Sequence, residues 1–238
     1  MKKDLPIDLV IVNCLDQQEA VKTLNYCKRY FNFNNSILFS DKNTENNKNQ
    51  FIKIEKINNI SEYNNFMLKI GEYIESDFAL VVQDDGHIVN PNNWSDEFLA
   101  YDYIGAPWPS SRKWNKRWKG ENRDKIISSL SKNRVGNGGF SLRSKEFLNY
   151  SSKFNDCLSY AEDVFLCLVN YEEAINNKIK FAPFEIALKF SYEVPLGGFK
   201  KNKEKKNRTF NKDNHFGWHG KRFSNYEDLL MLKYSEEE

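Results

Sequence analysis

Phe78-Ala79-Leu80-Val81-Val82-Gln83-Asp84-Asp85-Gly86 is the stretch on which the fold turns. Its first five residues are apolar without any alternation, the pattern of a strand covered on both faces in a parallel sheet. The run then stops in Gln-Asp-Asp-Gly, which is turn chemistry. Upstream, residues 61–74 place Tyr63, Phe66, Met67 and Ile70 on one helical face, with Ser61 as the expected N-cap. Before it come two short β-suited runs, 51–54 and 36–39, the second ending at Ser40-Asp41. A helix over 17–30, with Ala20, Val21, Leu24 and Tyr30 in phase, follows a first strand over 7–12 that ends at Asn13-Cys14.

Strands alternating with helices predict an α/β fold, a single Rossmann-like domain with a mostly parallel central sheet flanked by helices. Such sheets bind ligands beyond the carboxyl ends of their strands, so Asn13-Cys14 and residues 83–86 belong on one rim, with Ser40-Asp41 beside them. Alternation along the strand turns Gln83 and Asp85 one way and Asp84 the other. Downstream, residues 94–118 are crowded with aromatics, and Val135-Gly136-Asn137-Gly138-Gly139-Phe140-Ser141-Leu142 reads as a glycine turn entering a strand. Helices are expected over 161–171 and 183–190. The chain shows neither an internal repeat nor a linker.

Composition narrows the classes further. The 238 residues are 40% hydrophobic and 15% aromatic, which excludes disordered and low-complexity chains. Lys plus Arg number 35 against 33 Asp plus Glu, a net charge of +2 that makes no case for nucleic acid as a partner. The first apolar run is too short for a signal peptide, and none reaches the length of a membrane span. Cys14, Cys27, Cys157 and Cys167 form no C-x-x-C pair, so neither a disulfide framework nor a zinc site is expected. The cytoplasm is therefore the expected location.

Several residues could carry chemistry. Asp84-Asp85 reads either as a solvated turn or as a site for a hard divalent cation. Asn137, Gly138 and Gly139 either form an ordinary hairpin or let backbone and amide approach a ligand closely. Neither G-x-G-x-x-G nor a P-loop occurs. Glu162-Asp163 opens a helix, where it either caps or supplies a general base with its neighbour orienting an acceptor. His215 and His219 lie in a glycine-containing loop that disfavours a helical metal pair, so they read as surface or packing residues or, for one of them, as a ligand, and His87 is expected to be exposed. Lys200-Lys201-Asn202-Lys203-Glu204-Lys205-Lys206-Asn207-Arg208 is either a solvated loop or a contact for a diphosphate or anionic lipid. Of Trp94, Trp108, Trp114 and Trp118, the core is the commoner fate, and at least one is expected to offer its flat apolar face to a cleft.

In their order along the chain these features resemble GT-A-type nucleotide-sugar glycosyltransferases. The resemblance is closest to a bacterial and viral glycosyltransferase-like family with Q-x-D-G, N-P-x-x-W, Y-D-Y-I-G-A-P-W, G-N-G-G-F-S-L-R-S, E-D-V-F, P-x-E-x-A-x-x-F-S-x-E and F-G-x-H-G motifs. Here these are residues 83–86, 90–94, 101–108, 136–144, 162–165, 183–193 and 216–220. The resemblance implies that Asp85 holds manganese or magnesium against a nucleotide diphosphate, with His219 completing the coordination. Gln83 stands where a stricter D-x-D has its first Asp. Asp163 becomes the base of an inverting displacement, with Glu162 beside it. Asn13, Asp41, Tyr63, Gln83 and Asp84 fall to the nucleotide sugar, and Trp108, Asn137, Gly138 and Gly139 to the acceptor sugar.

The implied donor is a nucleotide sugar, UDP-linked, and the acceptor a glycan or lipid-linked glycan in surface polysaccharide biosynthesis. The basic run 200–208 implies a peripheral membrane contact. The implied division is a nucleotide-binding half over 1–86, an acceptor and catalytic half over 87–222, and a C-terminal helix and acidic tail over 223–238. Two rival readings remain: a non-catalytic nucleotide-sugar or glycan-binding module, and a metal-dependent phosphodiesterase or nucleotidyltransferase using Asp84 and Asp85.

Overall fold

The computed structural model describes residues 2–109, 115–194, 196 and 212–220. Trp114, the basic run 200–208 and the C-terminal segment 223–238 lie outside the described residues. Strand β1 (Lys3–Val12) leads into helix α1 (Gln17–Cys27), whose first turn is capped by the Asp16 side chain accepting from the Glu19 N–H. β2 (Phe31–Ser40) starts five residues before its apolar core does. The polar stretch extends because its amides find partners: Asn32 donates to Asp4, Asn34 to Ser76 and Asn35 to Asp8. β3 (Gln50–Lys53) follows, then α2 (Ile60–Lys69) and a 3₁₀ turn (Ile70–Tyr73).

The cap of α2 is Asn59 rather than Ser61. Its side chain accepts from the Glu62 N–H, and Glu62 reaches back to the Asn58 N–H, a reciprocal arrangement that fixes the start earlier. After β4 (Phe78–Val82) and β5 (Gly86–Ile88) come β6 (Tyr103–Gly105), α3 (Arg123–Lys132), β7 (Phe140–Ser144) and α4 (Lys145–Ser151). The helix expected over 161–171 is α5 (Glu162–Val164) running into a π-helical turn (Phe165–Val169), with α6 (Tyr171–Asn176) beyond it. α7 (Phe184–Phe190), β8 (Ser191–Tyr192) and β9 (Gly217–His219) complete the described elements.

The main sheet has six strands in the order β3-β2-β1-β4-β7-β6. β3, β2, β1 and β4 are mutually parallel, β7 runs against β4, and β6 runs against β7. Both faces are buried, as the unbroken apolar run of β4 requires. Leu9, Ile11, Leu38, Leu80 and Val82 pack on one side, and Val10, Ile37, Phe39, Ala79 and Val81 meet Met67, Ile70 and Leu148 on the other. A second sheet, β5-β9-β8, sits at the carboxyl end of β4 and pairs Gly86 with His219.

His87 corrects the expectation of an exposed side chain. It lies in the middle of β5, opposite Trp218, and is 1% exposed, packed edge-on against Tyr26 and Trp218. Trp94 sits in an aromatic cluster with Phe31, Phe98 and Phe216, and Trp118 packs against the same core. All four cysteines are buried and free. Among the described residues, no helix is long and apolar enough to cross a membrane.

Candidate active site

The turn after β4 builds the first half of the site. Its backbone closes through the Gly86 N–H donating to the Gln83 carbonyl at 3.0 Å, which starts β5 and brings His219 of β9 alongside. The Gly220 N–H then donates to the Asp85 carbonyl at 3.0 Å, fastening the end of β9 to the same turn. Asp85 Oδ1 lies 3.3 Å and Gln83 Oε1 3.0 Å from His219 Nε2, while Gln83 Nε2 donates to the Tyr63 hydroxyl at 2.8 Å. Tyr63, Gln83, His219 and Asp85 thus form one connected chain of polar contacts. Burial works against a charge on His219, but Asp85, with Glu193 and Asp163 further off, more than offsets it and raises the imidazole pKa.

Gly139 makes room for that imidazole. A Cβ on Gly139 would overlap the His219 ring, with Nε2 as its nearest atom. Gly139→Ala is therefore expected to push His219 away from Asp85. The check is an NMR titration of the His219 imidazole, whose pKa should fall once the Asp85 contact that raises it is weakened.

The second half of the site is Asp163 at the start of α5. Its Oδ2 accepts from the Gly138 N–H at 3.0 Å and its Oδ1 from the Val164 N–H at 2.7 Å. Burial, then the neighbouring Glu162, push its pKa up to about 7 against the lowering effect of those two N–H groups. A carboxyl held in place and titrating near neutrality has the properties of a general base.

Glu162 does not share this role, which corrects the expectation that it attends the acceptor. Its Oε1 accepts from the Arg143 guanidinium at 2.8 Å, with the two side chains 5% and 0% exposed. Arg143 also donates to the Ser141 hydroxyl and the Gly138 carbonyl, which ties the pair to the loop that holds Asp163. Asn64 Oδ1 accepts from the Glu162 N–H. Glu162 is thus a positioning group inside the core.

A cleft of about 360 Å³ opens beside Gln83 and Asp84. It is lined by Val12 to Asp16 from the end of β1, by Ile57 to Ile60 before α2, and by Tyr63. Leu15 and Ile60 stand on its rim 84% and 68% exposed. Asn13 shapes the turn, its Oδ1 accepting from the Leu15 and Asp16 N–H groups at 2.8 Å each, which leaves its amide N–H₂ for a ligand. Asp41 is not among the lining residues of this cleft; it accepts from Gln17 Nε2 at 3.2 Å at the end of β2. Trp108 is a correction. Its ring is 6% exposed and fills the space over Gly136 where a Cβ would collide, so it serves packing.

Sequence reasoning missed Glu193. It follows β8, whose parallel register with β9 pairs Ser191 with Gly217 and Tyr192 with Trp218, so one step further sets Glu193 beside His219. The Asn137 amide hydrogen-bonds its carboxylate, and Asn137 Oδ1 accepts from the Gly139 N–H at 3.1 Å. Burial raises its pKa, with His219, Asn137 and Arg117 acting the other way. The signal was present as the last residue of the 183–193 motif. Among the described residues, no three His, Cys, Asp or Glu side chains are arranged to hold a metal ion. Asp85 and His219 form a two-donor pair.

Among solved structures the chain is similar to the mannosyltransferase PcManGT from Pyrobaculum calidifontis in complex with GDP-Man and Mn2+, with a TM-score of 0.42 and 8% identity over 75% of this chain and 55% of that one. It is also similar to S. aureus TarS in complex with UDP-GlcNAc, with a TM-score of 0.42 and 15% identity over 69% and 53%. A third likeness is to the apo-form glycosyltransferase GlyE from Streptococcus pneumoniae, with a TM-score of 0.44 and 10% identity over 97% and 60%. The chain spans a little over half the length of each. No curated protein matches it. The family model that matches, over residues 26–219, is described as protein of unknown function (DUF5672), and the chain belongs to that family.

Proposed function

We propose that this protein is a glycosyltransferase that moves a sugar from a nucleotide-diphosphate donor to an acceptor hydroxyl by a single inverting displacement. One observation carries the reading: Asp163, fixed by two N–H donors and with its pKa pushed up by burial and Glu162, acts electrostatically on His219, which pairs with Asp85 and meets Gln83 on the wall of a cleft at the carboxyl ends of β1 and β4. In the proposed step the acceptor oxygen bonds to the anomeric carbon as the bond from that carbon to the diphosphate oxygen breaks. The hydroxyl proton passes to Asp163 and the nucleoside diphosphate leaves. The apolar cleft with its Asn13 amide and Tyr63 hydroxyl suits a nucleotide base and ribose.

Asp85 and His219 fit a divalent cation as a mixed oxygen and imidazole pair, which favours manganese over calcium, with magnesium as the alternative. Asp85 and His219 would hold such an ion, which would supply charge neutralisation at the leaving diphosphate. The reading takes a UDP-linked donor and a glycan or lipid-linked acceptor in surface polysaccharide assembly, supported by the ordered motifs. It also places the protein in the cytoplasm, touching the membrane surface through residues 200–208.

The test is a donor panel with manganese, scored by the nucleotide released. Nucleoside diphosphate is the expected product, and chelation of the metal should lower the rate at least about tenfold. Nucleoside monophosphate would point instead to phosphodiesterase or nucleotidyltransferase chemistry. Gln83 favours a second reading, a binding module, because it brings an amide to His219 where a D-x-D element would add a second carboxylate to that of Asp85; metal-independent binding without turnover would be its signature.

The pH dependence carries its own sign. A base must be ionised, so kcat/KM is expected to fall roughly tenfold per pH unit below the Asp163 pKa of about 7 and to level off above it. A rate profile flat from pH 5 to 8 would remove Asp163 from the role.

A further inference from the structure

We propose that Glu193 is a sugar-contacting residue of this site, its carboxylate held by Asn137 beside His219 so that it accepts hydrogen bonds from neighbouring hydroxyls of the donor pyranose. The inference rests on the glycosyl-transfer reading above and deepens it by naming the group that grips the sugar.

The geometry is built by two small elements. The β8–β9 register carries Glu193 to the flank of His219, and Gly220, with φ +98°, is close enough that a Cβ there would sit 3.6 Å from Glu193 Cγ. From the other side the Asn137 amide holds the carboxylate, and Asn137 is itself fixed by the Gly139 N–H. Glu193 is half-buried, as is Asp163, and the side chains of Asp85 and His219 are 20% and 15% exposed. All four are thus partly open to solvent.

A carboxylate offers about four lone-pair positions, and the Asn137 amide occupies one of them. A half-buried carboxylate gains from hydrogen-bond donors on its exposed side, so the position suits a ligand rich in hydroxyls. Metal ligation does not account for Glu193, since no three such side chains among the described residues converge on one ion position. Its place beside His219, which with Asp85 marks the diphosphate, puts it in reach of the sugar attached to that diphosphate. An adjacent pair of hydroxyls can meet both carboxylate oxygens, which makes Glu193 a determinant of which pyranose is accepted.

The experiment is calorimetric titration, with manganese, of the full chain and of Glu193→Gln and Glu193→Asp. The probes are UDP, UDP-glucose, GDP and GDP-mannose. For whichever base binds, both variants are expected to lose roughly ten- to a hundredfold in affinity for the sugar nucleotide, the range for a hydrogen bond to a charged group. Affinity for the bare diphosphate should not weaken. Glu193→Asp keeps the charge beside His219 but withdraws the oxygens, so its loss separates hydroxyl contact from simple electrostatics. Sugar-nucleotide affinity that is unchanged, or that falls in step with the bare diphosphate, overturns the inference while leaving the glycosyl-transfer reading in place. A wild-type protein that binds no nucleotide overturns both.

Discussion

Asp163→Asn is expected to lower sugar transfer by roughly a hundred- to ten-thousandfold, the usual contribution of a positioned general base, while nucleoside diphosphate still binds. The amide cannot take the acceptor proton, yet it has nearly the same shape. It can accept only one of the two N–H donors that meet Asp163, so a local adjustment at Gly138 or Val164 is part of the expected result. Unimpaired nucleotide affinity is the control that separates lost chemistry from a disturbed loop. Turnover within about twofold of wild type would remove Asp163 from the mechanism. The pH profile should agree: whatever activity the variant retains should lack the fall below pH 7.

Arg143→Met is expected to produce the largest loss of stability. It strips the partner from Glu162, which is 5% exposed and has Oε2 without a hydrogen-bond partner among the described residues. Leaving an uncompensated charge at such a site costs about 3–5 kcal/mol, which lowers the thermal midpoint by roughly 10 °C or more in a chain of this size. Burial disfavours the charge on Arg143, but Glu162 beside it more than offsets that and holds the guanidinium charged. A pair of this kind is weak evidence for net stability, because two well-packed apolar residues often do as well. Arg143→Met combined with Glu162→Leu should accordingly recover most of the loss in a urea or thermal denaturation series. If the single variant unfolds at the wild-type midpoint, the pair is solvated and the positioning role of Glu162 falls.

The same pair explains why part of the site was legible in the sequence and part was not. The unbroken apolar run before Gln83 announced a doubly covered strand and a polar rim, and the structure gathers Asn13, Tyr63, Gln83 and Asp84 around one cleft at that rim. Asp163 and Gly138 are 25 positions apart but carried recognisable motifs. Local pattern could not tell which of Glu162 and Asp163 turns inward, because that is decided by Arg143, nineteen residues away in a different element. Asp41 sits at a strand end as expected, but β2 is separated from β4 by β1, and its end is tied to α1 through Gln17.

Aromatic content was the least reliable guide. Trp94, Trp108 and Trp118 all pack against the core, and Trp108 is placed by Gly136, a pairing that spacing does not reveal. An Asp-Asp-Gly turn predicts a solvated His87, yet the chain enters β5 directly after Gly86, pairs with β9 and buries the ring. Glu193 was missed because its neighbours come from β9 and from the loop before β7. The small second sheet that creates this neighbourhood is built from strands of two and three residues, too short for periodicity to signal.

The measurement that bears most directly on the central claim is proton NMR of the full chain with manganese, a panel of UDP- and GDP-linked sugars and a saccharide acceptor. The account predicts nucleoside diphosphate released in step with a new glycosidic anomeric signal of configuration opposite to the donor's, absent with Asp163→Asn. Retained configuration, or a signal of unchanged intensity in that variant, would contradict it.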